Sequence, residues 1–161
     1  MIYTKHHIEQ MIRARDSYSF FRTFLEHRTN PKIELNNPVI ENGDYESTLP
    51  YLLWYTMFNP NKTVICGFPT YQMAKHILKR AKEIHAQLPG WMALEMEKDN
   101  GLIIAFKNGS RIFFRAMDRN FGRGFTINKL YLYEMGMLNH ALAMEVRASC
   151  IPMVMFNHNL K

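Results

Sequence analysis

Along the first part of the chain, apolar residues recur at helical spacing. Ile8, Met11 and Ile12 make one face, and Phe20, Phe21, Phe24 and Leu25 make another. The spacing predicts helix over about residues 5–27, broken near Arg15-Asp16-Ser17, with Ser17 placed to cap the second piece. TNPKIELNNPVIENGDYEST follows, and its prolines, asparagines and glycine predict a loop with a short extended piece at Ile33 to Leu35. Helix resumes near Thr48, with Pro50 in its first turn. LPYLLWYTMF is apolar nearly all round, the pattern of a buried helix, and Asn59-Pro60-Asn61 ends it.

TVICG (Thr63 to Gly67) reads as a buried strand. The next segment has the firmest helical period in the chain. Tyr71, Ala74, Leu78, Ala81, Ile84 and Leu88 share one stripe, Lys75, Lys79 and Lys82 share the other side, and Pro89-Gly90 stops it. GLIIAF and SRIFFRAM flank Lys107-Asn108-Gly109, a strong hairpin signal. MDRNFGRGFTIN reads as a loop and LYLY (130–133) as a strand. NHALAMEVRAS reads as a helix capped by Asn139, and IPMVMFNHNLK as a closing strand. Strands alternating with helices predict a mixed α/β sandwich with a largely parallel sheet, in one domain spanning 1–161.

Composition adds modest constraints. The chain has 161 residues, a formal charge of +6, and an apolar fraction of 47%. The positive charge favours anionic partners, nucleic acid among them. No apolar run approaches the ~18 residues of a membrane span, and the N-terminus is too polar for a signal peptide, so the expected location is cytoplasmic with no membrane partner. Cys66 and Cys150 stand in apolar contexts and read as buried thiols. None of the seven histidines pairs with cysteine or acid at zinc-site spacing, so no metal site is expected.

KLYLYEMGML (129–138) is an apolar run ending in one carboxylate, Glu134. Strands of this kind close the catalytic site of many nucleoside-triphosphate hydrolases, where two acids hold magnesium and position water. Tyr133 stands where the first acid is needed. Glu134 is the candidate general base. A phosphate loop needs glycine, a lysine and a hydroxyl ahead of a buried helix. ENGDYEST offers Gly43, Ser47 and Thr48 in the right place, without a lysine and with Asp44 and Glu46 in addition. Arg123, between Gly122 and Gly124, is a candidate phosphate contact. Arg111, Arg115 and Arg119, together with Lys75, Lys79 and Lys82, are candidates for following a nucleic-acid backbone.

In order and spacing, these segments resemble the ATPase domain of tailed-phage terminase large subunits, the motors that pump DNA into capsids. TVICGFPTYQMAKHILKRAKEIHAQLP resembles the family's second strand and following helix, and FKNGSRIFFRAM its hairpin. Asn120-Phe121-Gly122-Arg123-Gly124 resembles its arginine–glycine loop, KLYLYEMGML its Walker B strand, and IPMVMFNHN falls where its coupling strand lies. The resemblance covers roughly residues 48–159. It implies a three-layer P-loop-NTPase-like sandwich with an inserted hairpin. The family's Walker A sequence, its aspartate at Tyr133 and its threonines near Met155-Phe156-Asn157 are missing, as is its nuclease domain.

The expected function is therefore a non-catalytic terminase-like phage protein, a binding or accessory component of DNA packaging in a phage-infected or prophage-bearing bacterial cell. Expected partners are packaging proteins, another copy of the chain, or DNA through backbone contacts, with no cofactor. Two alternatives stand beside it. One is an active packaging ATPase with atypical motifs, using ATP and Mg2+. The other is a basic nucleic-acid-binding module.

Overall fold

A computed structural model describes residues 38–88, 90, 93–97 and 101–159. The expected helices over 5–27 and the extended piece at Ile33 to Leu35 lie outside them. Five strands form one sheet in the order β1-β5-β2-β4-β3. These are β1 (Val39–Glu41), β2 (Thr63–Phe68), β3 (Ile103–Ala105), β4 (Arg111–Ala116) and β5 (Lys129–Leu132). The β3–β4 pair is antiparallel and every other pair is parallel.

Three α-helices complete the described residues: α1 (Tyr45–Phe58), α2 (Tyr71–Gln87) and α3 (His140–Asn159). Alternation along β2 explains how they are distributed. Val64, Cys66 and Phe68 point into a core shared with α1 and α2. Ile65 points into a second core with Ala143, Val146, Cys150 and Val154 of α3. Helices therefore cover both faces of the sheet, as buried parallel strands require.

The α2 helix follows its sequence pattern, with Ala74, Ile77, Leu78, Ala81 and Ile84 buried. Thr70 caps it by accepting from the Met73 amide at 3.1 Å. Tyr71, expected on the buried stripe, is 55% exposed, at the first position of the helix. The Asn-Gly hairpin forms as the sequence predicts, with Gly109 at φ 87°. Its Asn108 also reaches out of the hairpin, donating to the Thr56 carbonyl at 2.8 Å. That bond satisfies an orphan carbonyl at the end of α1.

Three expectations are corrected. First, β1 lies inside a stretch read as loop. Three apolar-leaning residues between asparagines carry no usable period, and pairing with β5 is what makes them a strand. Second, α1 starts at Tyr45, so Pro50 falls in its second turn, and Ser47 and Thr48 are helical rather than part of a loop. Third, IPMVMFNHN is not a strand. It continues α3 to Asn159, with Pro152 inside the helix. The buried positions 143, 146, 150 and 154 keep one 3.6-residue stripe across the proline, and burying that stripe against β5 outweighs the lost backbone bond.

Candidate functional site at the carboxyl end of the sheet

In open α/β sheets, ligands bind beyond the carboxyl ends of the strands, where neighbouring connections leave toward opposite faces. Here β1 feeds α1 on one face, while its neighbour β5 feeds α3 on the other. The crevice so defined lies between Asn42-Gly43-Asp44 and Tyr133-Glu134. The fold therefore gathers Gly43, Ser47, Thr48 and Glu134 at one sheet end, from segments far apart in sequence.

What they build there is a closed turn. The Asn42 amide donates to the Leu132 carbonyl at 2.7 Å. Asn42 Oδ1 accepts from the Met135 amide at 2.9 Å. The Tyr131 hydroxyl donates to the Gly43 carbonyl. The Thr48 side chain is buried beside the same tyrosine hydroxyl. Ser47 Oγ is turned toward Asp44, donating to Oδ2 at 3.2 Å. Only three residues join β1 to α1. A phosphate loop is longer, because several successive amides must curl around the anion.

Electrostatics point the same way. Glu134 is exposed, with backbone in the left-handed region at φ 56°, and its side chain caps nothing. Tyr133 is held above its ordinary value, first by partial burial, then by Glu134, Tyr45 and Asp44. It stays a neutral phenol between two carboxylates and cannot act as an ionised metal ligand. Among the described residues no group of three or more His, Cys, Asp or Glu is placed to hold a metal ion. The turn lacks a lysine, its Ser47 hydroxyl is held by Asp44, and Asp44 and Glu134 repel triphosphate.

Tyr131 is the residue that sequence reading missed. Burial pushes its hydroxyl well above the ordinary value of 10.0, and the buried thiol of Cys66, raised by its own desolvation, adds to the effect. Tyr131→Phe is expected to cost about 1–3 kcal/mol by orphaning the Gly43 carbonyl. In the wild type the unfolded chain gives up this proton at a lower pH than the folded chain does. Stability is therefore full below about pH 10 and falls as pH rises, and the variant should show a shallower fall in alkaline chemical denaturation.

The basic candidates fall on two sides of the sheet. Arg111 and Arg115 share the α3-facing side of β4, where Arg115 lies over the Phe125 ring at 5.4 Å. Arg119 meets Glu145 at 3.9 Å. Arg123 is exposed at the tip of the loop after β4. Lys75, Lys79 and Lys82 are on the opposite face, where with Tyr71, Leu78 and Leu102 they line a groove of about 370 Å³. Lys129 is a further lysine that the sequence pattern did not single out. It is buried at the foot of β5, its ammonium 5.0 Å from the Tyr55 ring centre.

Comparison with protein-family models and with curated proteins returned no match.

Proposed function

We propose that this chain is a non-catalytic, terminase-like phage protein, a binding or accessory component of DNA packaging that works in the bacterial cytoplasm. The observation that carries the non-catalytic part is the three-residue turn between β1 and α1, closed by Tyr131 and Asn42. The terminase part rests on the segment order up to the acidic strand, the coupling strand being replaced by α3, and on the glycine-flanked Arg123 loop preceding that strand. Among the described residues no helix is long and apolar enough to cross a membrane.

A second reading, a basic module that holds nucleic acid by its backbone, is favoured by the groove of Lys75, Lys79 and Lys82 beside the exposed Tyr71. Lysines beside an aromatic ring suit phosphate and base together. Calorimetry on nucleic-acid-free protein separates the readings. ATP with Mg2+ is expected to give no heat of binding, and magnesium-dependent heat would overturn the non-catalytic reading. A subsequent DNA titration whose affinity falls steeply with salt would favour the second.

A further inference from the structure

Among the described residues five large hydrophobic side chains are exposed, and three of them, Met144 (55%), Met155 (38%) and Phe156 (64%), stand on α3. Ala141, Ala148 and Pro152 are exposed on the same helix. At 3.6 residues per turn, Ala141, Met144, Ala148, Pro152 and Met155 fall within about 80° of arc, with Phe156 at the margin. This stripe lies opposite Ala143, Val146, Cys150 and Val154, which face the sheet. α3 thus carries a second apolar stripe, edged by the exposed Glu145 and ending at Asn159, and among the described residues only the sheet-facing one is covered.

We infer that the outer stripe is the contact face for a second copy of this chain, packed helix against helix in antiparallel orientation about Ala148. The pattern is self-complementary. Met144 and Pro152 lie at equal distances either side of Ala148, and so do Ala141 and Met155. In an isologous pair each residue meets its mirror position. Small Ala141 then opposes large Met155 twice, and the two Ala148 residues let the backbones approach at the centre.

The area is in proportion. At roughly 200 Å² for a large side chain fully exposed, the three big residues offer about 310 Å², and the two alanines and the proline bring this to roughly 400 Å². A stable pair buries about 800 Å² on each partner, a little over half of it non-polar. Charge argues against an ionic occupant. The helix has one glutamate and one arginine, Glu145 near Arg119 and Arg147 bound to Glu41, which leaves no excess charge for an ionic partner. It also lacks the lysine-rich polar face of a membrane-surface helix.

This names a partner for the binding component proposed above. Association is measured without nucleotide or DNA, so either test can fail without touching the other. Sedimentation velocity of the full chain is expected to show a monomer–dimer equilibrium. Ala148→Glu should weaken it by at least about 100-fold, since two carboxylates would meet at the centre. Circular dichroism should be unchanged, because the site is exposed. A short bis-maleimide should link Ala148→Cys to itself, while Ala141→Cys should link only to Met155→Cys, since two copies of position 141 lie about 21 Å apart in the antiparallel pair. A monomer at all concentrations up to about 1 mM, a dimer indifferent to Ala148→Glu, or self-linking of Ala141→Cys would each overturn the inference.

Discussion

Phe121→Ala is expected to lower stability by about 3–5 kcal/mol, the range for losing a buried aromatic with partial collapse of its cavity. Phe121 is fully buried in the core beneath α3. Its ring tip reaches Gly67 of β2, where a single added carbon would sit 2.6 Å from Cζ, so the ring lies directly on the strand backbone. Its carbonyl accepts from Cys150 Sγ at 3.3 Å. Phe121 is thus the pin that holds the loop after β4, with Arg123 at its tip, against the sheet. Urea unfolding should show the loss as a lower midpoint. Hydrogen exchange should show added opening concentrated in residues 118–127, with α2 least changed. Equal loss of protection in α2 would mean that Phe121 supports the whole domain rather than this loop.

Gly122→Ala is the second, at about 2–6 kcal/mol, from two separable causes. The residue sits at φ 79°, which costs a side-chain-bearing residue of order 1–3 kcal/mol. A Cβ there would also lie 2.5 Å from Cys150 Sγ, inside a packed core, and such overpacking costs about 1–3 kcal/mol. A double-mutant cycle separates them. Cys150→Ala removes the sulfur, so Gly122→Ala in that background should lose only the backbone part. Equal costs in both backgrounds, measured by denaturant unfolding, would rule out the sulfur contact as a cause. The glycine next to Arg123 is therefore there for the fold, whatever the arginine touches.

The sheet-end site was legible in one respect and opaque in another. Gly43 and Glu134 were identified by their place before a buried helix and after an apolar strand, and those places do converge. What convergence builds depends on Asn42 and Tyr131, whose hydrogen bonds tie the turn after β1 to β5 and the residues that follow it. Tyr131 in LYLY looks like any strand tyrosine until its partner is known. The basic residues show the same limit. Arg111 and Arg115 share a side by strand alternation alone, but whether that side is the one bearing Lys75, Lys79 and Lys82 depends on which face α2 covers.

Within α3 the outcome is mixed. Asn139 signals the start correctly, accepting from the Leu142 amide at 2.8 Å. Pro152 and its β-branched neighbours suggest a break that does not occur. The stripe through Ala143, Val146, Cys150 and Val154 was present in the sequence, and a single proline obscured it.

By itself, then, the sequence determined what repeats locally: the α2 stripe, the Asn-Gly hairpin, the apolar runs of β2 and β5, and the all-round burial of α1. Those follow from side-chain period and turn chemistry within a few residues. Tertiary structure decided that Val39–Glu41 is a strand, that the Gly43 turn is closed, that α3 runs through its proline, and which charges share a face. Each of these depends on partners distant along the chain, and only packing into one sheet brings those partners within hydrogen-bonding and van der Waals reach.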